Sequence, residues 1–161
     1  MKILLLILIA TALAEEFKLT PEEIEIFTDG FLAGLPVRED HKKLFKCLDE
    51  EVGASWTRVM NAIAKQEWDE PIKVYTAVII ILEPTIYTLQ TLQDCSAGEV
   101  AVYINKIKET THNREKFVRK INENISQLVK DLQAMVNSWK GKKYKELGKG
   151  TGRFINFLIM T

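Results

Sequence analysis

Residues that break regular structure are scarce in this chain of 161 residues. It has 4 prolines and 8 glycines, which argues against a collagen-like chain or a Pro/Gly-rich disordered one. Positive charge is not in excess, because 22 Lys+Arg balance 22 Asp+Glu. Broad phosphate neutralisation needs such an excess, so we predict no nucleic-acid partner. The mean hydropathy of −0.05 argues against a polytopic membrane protein, and the length suits one domain.

Short motifs that carry chemistry are also missing. The histidines, His41 and His112, belong to no H-E-x-x-H pair and no Cys/His set with zinc spacing, and both are expected on the solvated surface. The chain has no nucleophile elbow, phosphate-binding loop or dinucleotide-binding glycine pattern. We therefore predict that the protein is not an enzyme and binds no metal or cofactor. A hydrolase whose catalytic groups converge from distant positions is kept as a third hypothesis.

The first fourteen residues have the pattern of a secretory signal peptide. Lys2 precedes an apolar run from Ile3 to Ala10, and small residues follow at Ala12 and Ala14. The alternative is a retained anchor, but the twelve residues from Ile3 to Ala14 fall short of the roughly 20 that span a bilayer. We predict that residues 1–14 are removed and that 15–161 form a single domain in a secreted or vacuolar protein.

Two cysteines in a secreted chain most simply form one disulfide, here Cys47–Cys95. Two free thiols or an intermolecular bridge are the alternatives. The 48-residue offset between the cysteines also aligns Pro36 with Pro84. This offset predicts an internal two-fold helical repeat, although two unrelated amphipathic helices would share apolar spacing by necessity.

Hydrophobic spacing predicts an all-α bundle of about six to seven helices. Thr20-Pro21-Glu22-Glu23 is typical of a helix start, with a capping Thr, a Pro in the first turn and a capping-box Glu. The most hydrophobic stretch, which includes residues 78–82, is apolar on all faces and is expected to be a central buried helix. Lys73 and Glu83 argue against a membrane span, and Pro84 is expected to kink or break the helix.

A long helix is predicted from about Asn113 to Trp139. Its apolar residues recur in steps of three and four, as in a heptad seam, and they are Val118, Ile121, Ile125, Leu128, Leu132, Met135 and Trp139. We expect the seam to lie across the other helices, with pairing to a second copy as the alternative. Asn124 begins an N-glycosylation acceptor beside the seam.

After Trp139 the chain becomes rich in glycine and in basic residues. Residues 140–153 are predicted to be a basic Gly-rich linker, and 154–161 an apolar terminal segment that docks on the bundle.

Residues 15–51 carry a net charge of −6 and residues 105–161 a net charge of +8. The two parts are expected to attract each other, but a basic face could instead contact anionic lipid or an acidic partner. The candidate contact residues are Lys140, Lys142, Lys143, Lys145, Lys149 and Arg153.

The run Phe27-x-x-Gly30-Phe31-Leu32-x-Gly34-Leu35, with Cys47 about a dozen residues later, resembles small secreted helical proteins of single-celled eukaryotes. The resemblance covers the signal peptide and about forty residues after it. It implies a secreted helical fold and no substrate, cofactor or site. Independently, the G-x-x-x-G spacing of Gly30 and Gly34 predicts a place where a neighbouring helix approaches closely.

These observations predict a secreted, non-enzymatic interaction or structural protein. It would act through its helix faces, by self-association or by binding an unidentified protein partner. The alternative is a carrier of lipid or another apolar ligand, with the terminal segment as a lid. The candidate ligand-contacting or packing residues are Phe27, Phe31, Tyr75 and Tyr87. An internal apolar cavity of roughly 300 Å³ or more would favour the carrier, and an exposed apolar patch would favour association.

Overall fold

The computed structural model describes residues 18–160, so the predicted signal peptide lies outside the described residues. Over that range the chain forms eight helices and no strand, which confirms the all-α single-domain prediction. The helices are α1 (Pro21–Gly34), α2 (His41–Phe45), α3 (Glu50–Ala64), α4 (Pro71–Gln93), α5 (Glu99–His112), α6 (Arg114–Glu123), α7 (Ile125–Lys140) and α8 (Tyr144–Ile159).

Helix α1 begins where the sequence predicts. The Thr20 hydroxyl accepts from the Glu23 backbone N–H at 3.1 Å, and the Glu23 carboxylate accepts from the Thr20 backbone N–H at 2.9 Å. These two bonds are the reciprocal pair of a capping box, and each satisfies a donor that a helix start leaves free.

Helices α1 and α8 pack through glycines on both sides. Gly30 and Gly34 of α1 lie against Gly148 and Gly152 of α8, and a Cβ at any of the four would come closer than 3.0 Å to the opposite backbone. The neighbours advance along both helices in the same direction, so the two helices run parallel. The prediction that Gly30 and Gly34 admit a close neighbour is confirmed.

The predicted linker over residues 140–153 is wrong, because residues 144–159 form α8. Gly148 and Gly152 indicated flexibility in the sequence, but each is buried where α1 approaches most closely. The close packing of the two backbones outweighs the roughly 1 kcal/mol that each glycine costs in a helix. The apolar terminal residues are the last turns of the same helix, with Phe154, Ile155 and Leu158 in the core.

Proline does not end the central helix. The sequence predicted a kink or a break at Pro84, and the break is wrong because α4 continues to Gln93. Proline removes one backbone hydrogen bond at a cost of about 3 kcal/mol, whereas burial of Ile81, Leu82 and Leu89 around it favours an unbroken helix. By length and composition alone α4 is long and apolar enough to cross a membrane, but half of its most apolar window is buried inside this domain.

The long helix predicted from Asn113 to Trp139 is divided at Asn124. The Asn124 side-chain amide donates to the Lys120 carbonyl at 2.7 Å, while its backbone N–H donates to Ile121 at 3.1 Å. The side chain therefore takes the acceptor that the backbone amide of an unbroken helix would use. This break raises the number of helices above the expected six to seven. The seam still faces the bundle, because Ile121, Leu128, Leu132 and Met135 are buried.

Trp56 of α3 connects the α1 side of the core to α4. Its ring lies 5.0 Å from that of Phe27 and 5.8 Å from that of Phe31, centroid to centroid. Its indole N–H donates to the Thr88 hydroxyl at 2.8 Å, and that hydroxyl donates to the Pro84 carbonyl at 2.7 Å. The large ring thus fills the space between helices with its one polar atom satisfied.

The internal repeat is unconfirmed. Residues that the 48-residue offset aligns lie in different surroundings, since Pro36 is in the loop after α1 while Pro84 is inside α4. Phe31 is fully buried, whereas the aligned Ile79 is exposed.

The glycine contact predicts opposite outcomes for neighbouring substitutions in α8. Gly148→Ala places a methyl group against the α1 backbone and should lower the free energy of unfolding by about 1–3 kcal/mol. Gly150→Ala is the matched control, because its Cβ would meet only the Met135 side chain at 3.8 Å. It should raise stability by about 0.5–1 kcal/mol through helix propensity. Urea denaturation measures both, and equal effects would contradict the close approach.

Candidate interaction surface

The central helix α4 has one covered face and one open face. It contacts α2, α3, α5, α6 and α7, and residues such as Val74, Val78 and Ile81 are fully buried there. On the other face Ile72 is 62% exposed and Ile79 is 43% exposed. The sequence predicted a central buried helix here, because a helix that is apolar all round is usually buried. The open face was therefore not predicted.

Two grooves between α3 and α4 adjoin the open face. One has a volume of about 590 Å³ and is lined by Val59, Ile80 and Ile86 together with charged residues. The other, about 150 Å³, lies toward Trp68 and Ile72. Both grooves include Ile80 and open to solvent, so they form one continuous surface. We call the surface made by these grooves and the exposed Ile79 on the same helix the α4 face, meaning Ile72, Thr76, Ile79, Ile80 and Ile86.

Charged residues border the α4 face. The Lys73 ammonium lies 2.6 Å from Asp69, and Arg58 of α3 lies 3.1 Å from Glu51. Glu83 is exposed on the same helix as Lys73. An apolar centre with a polar border is the usual composition of a protein–protein contact.

The four aromatic residues that were predicted to contact a ligand or to pack in the core do not lie together. Phe27 and Phe31 are core residues stacked near Trp56. Tyr75 packs 6.4 Å from the Phe117 ring. Tyr87 lies beside the α3–α4 groove, where its hydroxyl donates to Asp49 at 3.1 Å. They therefore pack at three separate places and line no common cavity.

The six basic residues predicted to contact an anionic surface are all exposed. Lys145 lies 3.8 Å from Asp29 of α1, so the acidic early part and the basic late part do meet where α1 packs on α8. Lys145, Lys149 and Arg153 follow one another at intervals of four along α8 and border the glycine contact. This places them on one side of that helix.

The predicted disulfide joins Cys47, in the turn after α2, to Cys95, just beyond α4. Their Cα atoms are 5.9 Å apart, within the range a disulfide requires. The Glu39 carboxylate adds a polar link nearby, since it accepts from the Ser96 hydroxyl and the Ala97 backbone N–H, each at 2.8 Å. Burial raises the pKa of Glu39, but the hydrogen bonds from Ser96 and Ala97 outweigh it, so the pKa lies below its ordinary value.

His41 is half-buried, not solvated as predicted. Its ring nitrogens lie 2.7 Å from an Asp29 carboxylate oxygen and 3.1 Å from the Val37 carbonyl. His112 is exposed, as expected.

Asn124 is partly exposed, and the prediction that it carries a glycan stays a prediction. Within residues 18–160 no cluster of three His, Cys, Asp or Glu is arranged to hold a metal ion.

Comparison with known proteins gives no relative. No family model, no curated protein and no solved structure matches the chain.

Glu39 predicts a stability that depends on pH. Because its pKa is lowered on folding, its contribution is full above the unfolded-state pKa and is lost as the pH falls through the folded-state pKa. Glu39→Gln should cost about 1 kcal/mol at neutral pH and should flatten the loss of stability as the pH falls through the range where glutamate carboxylates become protonated. Thermal unfolding measured across this range tests it, with exposed Glu67→Gln as the control. Parallel pH profiles for wild type and Glu39→Gln would count against the assignment.

Proposed function

We propose that this protein is a secreted, non-enzymatic helical interaction protein that self-associates through the α4 face. The observation that carries the proposal is the exposure of Ile72 and Ile79 on the most hydrophobic helix of an otherwise well-packed domain. Covering this face removes apolar surface from water, which is the main driving force of association.

A second copy of the chain is the partner that the charges of α4 favour. Lys73 and Glu83 lie five residues before and after Val78, about 7.5 Å along the helix in each direction. In a two-fold interface residue i meets residue j while j meets i. Two antiparallel α4 helices centred at the level of Val78 would bring each Lys73 to the partner's Glu83. Ile79 would then lie next to its own copy near the axis.

The alternative function, a carrier of apolar ligands inside the bundle, has less support. The aromatic residues on which it was based pack apart from one another. The groove between α3 and α4 and the groove between α5, α6 and α8 open to solvent at the surface, whereas a carrier usually encloses its ligand. The terminal residues that would form a lid are the buried end of α8.

Self-association is tested by placing a charge on the α4 face. Ile79→Glu buries a carboxylate in the proposed dimer and should weaken dimerisation about tenfold or more, as measured by sedimentation velocity over a concentration series. Val102→Glu is the matched control, because Val102 is a similarly exposed residue, at 49%, on α5. It should leave dimerisation unchanged. A wild-type protein that stays monomeric at every concentration would refute the proposed dimer.

The antiparallel geometry is tested separately by charge exchange. Lys73→Glu and Glu83→Lys each place like charges together and should each weaken the dimer. The double variant restores opposite charges and should recover wild-type association. Additive weakening in the double variant would rule out this pairing while leaving the α4 face as a contact.

Secretion rests on the pattern of residues 1–14 and is supported by the disulfide, which persists in oxidising compartments. Intact-mass spectrometry of the protein secreted from a eukaryotic host should give a chain that begins at Glu15 and lacks two hydrogens at the cysteines. Extra mass that Ser126→Ala removes would assign a glycan to Asn124, since this variant destroys the acceptor and keeps the Asn. Recovery of the chain inside the cells, with residues 1–14 attached, would contradict secretion.

A further inference from the structure

A groove away from the α4 face combines positive charge with apolar walls. It lies where the ends of α5 and α8 meet the start of α6, and its volume is about 530 Å³. Lys106, Lys116 and Lys120 line it, and Glu109 is the single carboxylate among its lining residues. Phe117, Leu158 and Ile159 form its apolar wall. This volume falls within the range of small-molecule sites.

Lys120 is held in place at this groove. Its ammonium donates to the Met160 carbonyl at the end of α8 and lies 5.0 Å from the centre of the Phe157 ring. Lys116 is one turn earlier on α6, so the two ammonium groups share one side of the helix and repel each other. Burial lowers the pKa of Lys120, and Lys116 lowers it further. An anion between the two would favour the charged form of both lysines and so offset these effects.

We propose that this groove binds a small amphipathic anion, namely a carboxylate or phosphate monoester that bears an alkyl chain. The anionic group lies among Lys106, Lys116 and Lys120, and the chain lies along Phe117 and Leu158. The charge and the apolar wall are both required, because either alone is ordinary on a protein surface. The site is independent of the proposed dimer, since none of its residues belongs to α4.

Calorimetric titration with decanoate and decyl phosphate, below the concentrations at which they form micelles, tests the site. Both should bind with one-to-one stoichiometry. Decanol lacks the charge and inorganic phosphate lacks the chain, so each should bind at least about tenfold more weakly. Equal binding of decanol would overturn recognition of the anion, and equal binding of phosphate would overturn the apolar contribution. Absence of saturable binding by both decyl anions would overturn the site.

Substitutions place the binding in this groove. Lys106→Gln and Lys116→Gln remove exposed charges that make no ion pair within residues 18–160, so both should fold normally. Each should weaken decanoate binding about tenfold. Lys108→Gln is the control, because Lys108 is an exposed lysine of α5 that does not line the groove. If all three variants bind like wild type, the anion binds elsewhere and the proposal is wrong.

Discussion

The backbone contact between α1 and α8 is the constraint on which the rest of the fold depends. Four glycines let the first and last described helices approach until backbone meets backbone, which no residue with a Cβ permits at these positions. The contact joins segments more than a hundred residues apart, so six helices must be accommodated between two parallel neighbours. Their loops follow the surface, and their apolar faces fill the space that remains beside the pair. The polar link between Asp29 and Lys145 lies at the edge of the same contact.

This arrangement accounts for the unequal faces of α4. Helices α1 and α8 pack on each other, and α4 is connected to that pair mainly through neighbouring helices such as α3 and α5. Trp56 makes the connection on the α3 side by touching Phe27 and bonding to Thr88. Helix α4 can therefore bury only the face directed toward these neighbours. The helix has more apolar residues than this buried face can hold, so Ile72 and Ile79 remain exposed to water.

A helix start is decided by neighbouring residues and could be predicted from the sequence, whereas the partners of most contacts between distant segments could not. The capping box at Thr20 follows from four consecutive residues, whereas the pairing of Cys47 with Cys95 follows from the chain having two cysteines. Both are present. Gly148 and Gly152 looked like linker residues because nothing local indicates that α1 will cover them. Helix α4 persists at Pro84 because burial on both sides outweighs one missing hydrogen bond. Conversely, Asn124 ends α6 by a local side-chain bond that a continuous heptad pattern concealed. Lys106, Lys116 and Lys120 could not be grouped from the sequence, because only the packing of α5, α6 and α8 brings them to one groove.

The disulfide holds the C-terminal end of the helix that carries the α4 face. Cys95 follows directly on α4, and the bond to Cys47 holds that end of the helix against the turn after α2. Closing a loop of this length stabilises a fold by about 4 kcal/mol in the chain-entropy model, and Glu39 fixes the same junction through Ser96 and Ala97. A helix held at its end presents its exposed residues in one arrangement, which lowers the entropy that association must remove. A reducing compartment would open the bond and loosen the helix that carries the exposed face. A disulfide persists in oxidising compartments, so the proposed contact through α4 would be favoured in an environment that keeps this bond closed.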